Sequence, residues 1–246
     1  AVHDNGRRTG FYAGWNGFNF LDTSWNETNG APDTVGADNG NDKIDVYRLV
    51  RNDDIEAQTS QFLIDLAADP HHYSLIHWHA TDSRGHSSGW RSSAYERAVE
   101  DVDAQLGRLL EFIETDPTLA DSTAVILTSD HGGVGTSHGN VANPSTFTVP
   151  FYVWIAGQQL GRELYALNQT TRSDPGGSRP DYDVPLQPIR NGDVANLALD
   201  LLGLGPIPGS TINAQQDLSL VTPVPEPTSG ILWASFALLW LSRARK

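Results

Sequence analysis

The stretch 124–133, AVILTSDHGG, indicates the fold class of this chain. Its first four residues are apolar, which predicts a fully buried strand of a parallel sheet. Open α/β sheets place their ligand sites just beyond the carboxyl ends of such strands. Asp130 and His131 follow the strand directly and offer the hard oxygen and borderline nitrogen that a divalent metal accepts. Taken alone, the pair is more typical of an Asp that caps a turn beside a His.

A second strand is predicted over 73–79, and the same kind of motif follows it. The run ATDSRGHSSG, at 80–89, places Asp82 and His86 four residues apart, so one turn of helix or loop can bring them to one ion. His138 follows in GTSHGN. Three short motifs with metal-ligand side chains favour a metal site over structural use. The predicted metal ligands are Asp82, His86, Asp130, His131 and His138.

Two further histidines belong to the predicted strand itself. His77 and His79 share one face of the strand by period-two alternation. We interpret them as packed residues or as supports of the metal ligands, and not as primary ligands.

The order Asp-x-x-x-His, Ser-Asp-His-Gly and a later His-Gly resembles the alkaline phosphatase superfamily, and within it the type I phosphodiesterase/nucleotide pyrophosphatase branch. The resemblance extends over about 1–218 and is densest over 77–157. It implies two metals, usually zinc. By motif, the first metal would be held by Asp82, His86 and His138, and the second by Asp130 and His131.

The resemblance also implies parts that these residues do not supply. Members of the family take an Asp for the second metal from the end of the first strand, and a Ser or Thr nucleophile follows. The segment VHDNGRRTGFYA, at 2–13, resembles the stretch that comes after that nucleophile. We therefore expect the chain to be the C-terminal part of a longer enzyme, with the nucleophile upstream of Ala1 and no catalytic nucleophile within 1–246.

The C-terminus predicts a sorting signal. VPEPTS, at 224–229, precedes an apolar run at 230–241 and the basic end RARK at 243–246. The run is shorter than the roughly 20 residues of a membrane span, and terminal cations are typical of a cytoplasmic tail. Together the three parts resemble the PEP-CTERM signal of Gram-negative bacteria. This resemblance implies an exosortase as partner, a transient membrane anchor formed by the C-terminal helix, and export to the periplasm, cell surface or medium.

The net charge and the cysteine content exclude some classes of function. The formal net charge of −14 argues against a nucleic-acid partner, which needs a surface rich in Lys and Arg. An anionic substrate remains compatible, because two metals supply positive charge locally. The absence of cysteine excludes disulfides, a thiol nucleophile and Cys-based zinc sites from this chain.

The coarse organisation is an alternation of strands and helices, which predicts a mainly parallel sheet covered by helices on both faces. The resemblance implies an alkaline-phosphatase-like α/β fold that lacks the N-terminal strand of the family. The predicted domain covers 1–220 and the sorting segment 221–246. Helices are expected over 56–68, 93–115 and 193–202, and strands over 123–128 and 150–155, in addition to the one at 73–79.

We thus predict a two-metal-dependent hydrolase of phosphate esters. Two alternatives remain open at this stage. The first is a sulfatase or phosphomutase of the same superfamily, which would differ in the nucleophile region. The second is a surface-anchored metal-binding protein without catalysis.

Overall fold

The computed structural model describes residues 1–221, so almost all of the predicted sorting segment lies outside the described residues. The strands are β1 Thr9–Ala13, β2 Val46–Leu49, β3 Tyr73–His77, β4 Ala124–Thr128 and β5 Phe151–Ile155. The α-helices are α1 Asn19–Ser24, α2 Ile55–Ala68, α3 Ala80–Ser88, α4 Ser93–Thr115, α5 Pro144–Phe147, α6 Leu164–Leu167 and α7 Asp193–Leu201. Within 1–221, no helix combines the length and the apolar character needed to cross a membrane.

The strands form two sheets. In the first, β1 lies in the centre and pairs in parallel with β2 on one side and β3 on the other. In the second, β4 and β5 pair antiparallel. The predicted α/β class with a parallel sheet is confirmed, whereas β5 departs from the parallel pattern. Parallel neighbours are normally joined by a crossover helix, but the connection 129–150 contains only the four-residue α5.

The long helices begin where the sequence provides a capping side chain. The carboxylate of Asp54 accepts a hydrogen bond from the backbone N–H of Ala57 at the start of α2. The hydroxyl of Ser92 does the same for Tyr95 at the start of α4. Such caps satisfy N–H groups that have no partner within the helix. The bounds predicted for α4 are confirmed, and those of α2 and α7 differ by one residue.

Helix α4 covers one face of both sheets. Leu109 and Ile113 are buried in a cluster that includes Tyr12 of β1, and Val125 of β4 packs against the same cluster. On the opposite face of β4 and β5, Leu197 of α7 forms a second apolar cluster. The two sheets therefore belong to one layer with helices above and below the β4–β5 pair, as the alternation of elements predicts.

Candidate metal centre

The first part of the site lies on α3, which begins directly beyond the end of β3. Asp82 and His86 are one helical turn apart, and Asp82 Oδ1 lies 3.5 Å from His86 Nε2. The Trp90 ring packs against Gly85, where a Cβ atom would lie only 2.6 Å from it. A glycine at this position thus allows Trp90 to pack edge-to-face with the His86 ring, with the ring centroids 5.2 Å apart.

The second part lies in the loop that follows β4. His131 Nε2 is 3.7 Å from Asp82 Oδ1, which joins the two motifs at one point. The rings of His131 and His138 stack with centroids 3.8 Å apart. The loop packs closely against α5 because of a glycine: a Cβ on Gly132 would overlap the carbonyl oxygen of Ser145.

Both metal-facing histidines are oriented by backbone carbonyl groups. His86 Nδ1 lies 3.0 Å from the carbonyl oxygen of Thr136, and His131 Nδ1 lies 2.9 Å from that of Gly132. A carbonyl can only accept a hydrogen bond, so Nδ1 carries the proton in each neutral ring. Each Nε2 then presents its lone pair toward Asp82. Ligating histidines are commonly held by this arrangement.

Asp82 is the centre of the cluster. Its Oδ1 atom is buried and has no hydrogen-bond partner among the described residues. Buried polar atoms are rarely left without a partner, so such an atom calls for an explanation. Ligand atoms of Asp82, His86 and His138 all lie within 4.8 Å of one another. The free lone pairs, the unsatisfied oxygen and the mixed O/N ligand set fit a divalent cation.

Asp130 lies at the edge of this cluster. Its side chain is 78% exposed, and its Oδ2 is 3.5 Å from His131 Nε2. The backbone of the site loop is fixed by Asn191, whose amide group donates to the carbonyl oxygens of Ser129 and Asp130 at 3.3 and 2.9 Å. The fold therefore brings all five predicted ligands together, while their division between two metals remains a prediction.

One supporting pair extends the cluster on the side of β2. His79 Nε2 lies 3.4 Å from Asp82 Oδ2, and His79 Nδ1 lies 2.9 Å from Asp53 Oδ1. Burial raises the pKa of Asp53, but hydrogen bonds from Ser83 and His79 outweigh it and hold that pKa below its ordinary value. The carboxylate of Asp53 is thus positioned to orient His79, which in turn contacts Asp82.

His79 is the support that its position in the strand predicts, whereas Asp53 carries no sequence signal of such a role. The backbone of Asp53 has a φ of 56°, in the left-handed region, directly after Asn52 with a φ of 64°. Asn and Asp tolerate this conformation better than most residues. An Asn-Asp pair after a strand was the available signal, but it indicates a turn and carries no information about a metal.

Comparisons with known proteins identify the family of the chain. The model of the family described as type I phosphodiesterase / nucleotide pyrophosphatase matches residues 2–169. The chain is similar to GPI ethanolamine phosphate transferase 1 of Yarrowia lipolytica, with 23% identity over 188 residues, or 72% of this chain and 20% of that relative. It thus spans about a fifth of the length of the relative. No solved structure shows a significant match. Because the family model covers more than half of its residues, the chain belongs to the type I phosphodiesterase / nucleotide pyrophosphatase family.

Proposed function

We propose that the protein is a divalent-metal-dependent hydrolase of phosphate esters, and that zinc is the metal. The observation that carries this proposal is the cluster of Asp82, His86 and His138, whose ligand atoms lie within 4.8 Å of one another around the unsatisfied Oδ1 of Asp82. The family is described as phosphodiesterases and nucleotide pyrophosphatases, which supports phosphate esters as the substrate class.

The chain's own residues have distinct tasks in this proposal. Asp82, His86 and His138 would hold the first metal, and Asp130 and His131 would contribute to the second. Bound divalent ions supply Lewis acidity to a phosphate oxygen and lower the pKa of a coordinated water. This local positive charge is what lets an acidic protein accept an anionic substrate, since its formal net charge is −14.

We further propose that the nucleophile of the complete enzyme lies upstream of Ala1. Thr9 stands at the amino end of β1, whereas the metal centre lies beyond the carboxyl ends of β3 and β4. The hydroxyl of Ser129, which is close to the centre, donates to the carbonyl oxygen of His131. Neither hydroxyl is placed to attack a phosphorus atom beside Asp82.

A phosphotransferase is the second candidate function. The relative with 23% identity is named a phosphate transferase, and its reaction type differs from hydrolysis only in the acceptor of the transferred group. An alcohol in place of water would favour transfer. Hydrolysis remains our first choice because the family description names a phosphodiesterase and a pyrophosphatase.

We also propose that the protein is exported and sorted through residues 221–246. The Pro-Glu-Pro motif, the apolar run and the basic end support an exosortase as partner and transient anchoring in the membrane. Mass spectrometry of the secreted protein should then find a C-terminus near Pro227 and no peptide from 231–246. An intact tail in the culture medium would contradict this sorting.

The activity is tested with the zinc-loaded protein, both as this chain and as the full-length gene product. The substrates are an aryl phosphodiester, an aryl phosphomonoester and an aryl sulfate, each with and without an added primary alcohol. We expect faster hydrolysis of a phosphate ester than of the sulfate, and a turnover that depends on His86 and rises greatly in the longer protein. Preferred sulfate cleavage would assign a sulfatase, and alcohol-dependent product would assign a transferase. No turnover by the zinc-loaded full-length protein would favour a non-catalytic metal-binding protein.

A further inference from the structure

The metal centre lies in the wall of the largest cavity of the described chain. All five predicted metal ligands line this cavity, and so do two cationic residues, Lys43 and Arg91. Lys43 is already paired, because its Nζ atom lies 2.7 Å from Asp33 Oδ1 and 3.4 Å from Asp4 Oδ1. Arg91 is exposed and, within residues 1–221, forms no ion pair and no side-chain hydrogen bond. In the described chain it is therefore the cation of the cavity wall that is free to bind an anion.

Arg91 directly follows a residue that contacts three of the predicted ligands. The ring centroid of Trp90 lies 5.2, 6.0 and 6.4 Å from the centroids of His86, His138 and His131. The backbone N–H of Trp90 donates to the carbonyl oxygen of Gly135 at 2.7 Å, which fixes this segment to the site loop. Trp90 is half-buried, whereas Arg91 is exposed. Arg91 thus stands at the rim, one residue outside the rings that surround the metal centre.

The backbone conformation at Arg91 is unfavourable for an arginine. The backbone N–H of Ser92 donates to the carbonyl oxygen of Gly89 at 3.1 Å and closes a turn in which Arg91 is the third residue. The φ of Arg91 is 68°, in the left-handed region, while that of Trp90 is not positive. This is the pattern of a type II turn, whose third position favours Gly or Asn. An arginine at this position strains the backbone, and a glycine would avoid that strain.

The electrostatic setting of Arg91 is unfavourable as well. Helix α4 begins at Ser93, two residues later, and Ser92 is its cap. The N-terminus of a helix carries a partial positive charge, so a cation at this end is disfavoured. Two local preferences thus oppose Arg91, and residues that contradict local preferences are expected at functional sites. An anion bound by Arg91 would remove the electrostatic conflict.

A second arginine, Arg84, lies within the ligand motif of α3 but on another side of the helix. It follows Asp82 by two positions, and residues two apart do not share a face of a helix. Arg84 is not among the residues that line the cavity. Arg91 is therefore the better-placed arginine for a ligand in the cavity.

We propose that Arg91 is a specificity-determining residue that binds a second anionic group of the substrate, in addition to the phosphate at the metals. This proposal rests on the proposed function. The phosphate under attack contacts the metal ions, whereas Arg91 stands farther out, so its partner is a group attached to that phosphate. A guanidinium can bind two oxygens of a carboxylate or of a phosphate at once. The preferred substrate is therefore a phosphate ester whose organic part carries a carboxylate or a phosphate.

Equilibrium binding to the zinc-loaded protein tests this role without relying on turnover. The ligands are propylphosphonate, 2-carboxyethylphosphonate and ethane-1,2-diphosphonate, which are similar in length and share one phosphonate for the metals. In calorimetric titrations, at least one of the two ligands with a second anionic group should bind about tenfold more tightly than propylphosphonate. The tighter of the two identifies the second group as a carboxylate or a phosphate. Equal affinities for all three would overturn the proposal.

Variants of Arg91 separate binding from a structural role. Arg91→Gly removes the guanidinium and also relieves the turn, so the preference for the anionic ligand should disappear. The Tm of the ligand-free variant should stay the same or rise by up to about 4 °C. Arg91→Lys keeps the charge but not the planar fork, and it should retain part of the preference. Arg97→Ala, which removes an exposed arginine of α4 that does not line the cavity, is the matched control and should retain all of it.

The possible outcomes distinguish this proposal from the proposed function. A preference that survives in Arg91→Gly would overturn the role of Arg91, and a lower Tm with an unchanged preference would assign it a structural role instead. If all three phosphonates require zinc and bind equally, only the role of Arg91 is wrong. If no phosphonate binds in a zinc-dependent manner, the proposed function fails, and this proposal fails with it.

Discussion

Replacement of Asp82 by Asn should change stability in opposite directions with and without metal. In the metal-free protein the unsatisfied Oδ1 of Asp82 destabilises the fold, because a buried acceptor without a partner lowers the free energy of unfolding by roughly 1–3 kcal/mol. The amide group of an Asn could donate to the bare Nε2 of His86 or His131, which lie 3.5 and 3.7 Å from Oδ1. With a chelator present, the variant should therefore be as stable as the wild type or more stable by about 1 kcal/mol.

With zinc present, the wild type should be more stable than the Asp82→Asn variant. At a free zinc concentration of about 100 times the dissociation constant, binding stabilises the wild type by about 2.7 kcal/mol. If the substitution lowers the affinity for zinc about 100-fold, zinc at the same concentration stabilises the variant by only roughly 0.4 kcal/mol. For a domain of this size 1 kcal/mol corresponds to about 2–4 °C in Tm. The zinc-induced rise should thus be about 5–11 °C for the wild type and about 1–2 °C for the variant.

Thermal unfolding followed by circular dichroism, in chelator and in buffered zinc, measures both effects. Asp101→Asn, which changes an exposed carboxylate on α4, is the matched control and should keep the full zinc response. If Asp82→Asn lowered Tm equally in chelator and in zinc, Asp82 would have a structural role and the metal assignment would be refuted.

Three further outcomes are expected. Asp53→Asn should weaken zinc binding about 10–100-fold through the loss of the His79 contact; titration with a competing chelator measures this. Gly132→Ala should lower stability by about 1–3 kcal/mol, because the added Cβ overlaps the carbonyl oxygen of Ser145; urea unfolding should show no loss if that overlap is absent. At Asp33, burial raises the pKa, but a backbone N–H, Lys43 and His3 hold it below its ordinary value. The ionised carboxylate of Asp33 therefore stabilises the fold fully above pH about 3.9, and this stabilisation is lost as the pH falls below that value. In Asp33→Asn, the free energy of unfolding should therefore depend less on pH in the acid range.

Much of this architecture could be predicted because the decisive signals are local. The apolar stripe of α4 and the capping Ser92 define that helix from sequence, and the structure places it at the predicted bounds. The five predicted ligands lie together because β3 and β4 run in the same direction and their ends meet. The sequence already indicated this, because the ligand motifs follow directly after two predicted strands.

What could not be predicted depends on contacts between distant segments. Asp53 reaches His79 across 26 positions of sequence, and no periodic pattern marks such a contact. The antiparallel β5 has the same apolar character as a buried parallel strand, so composition does not distinguish the two.

X-ray absorption at the zinc edge of the zinc-loaded protein tests the metal centre most directly. The account predicts retained zinc with an average of about one to two imidazole ligands per ion at about 2.0–2.1 Å, since two histidines are assigned to the first metal and one to the second, and carboxylate oxygen at a similar distance. In His86→Ala the average should fall to about one imidazole per zinc, because one of the three assigned histidines is lost. A protein that retains no zinc after desalting, or zinc without imidazole in its coordination shell, would contradict the assignment of this site.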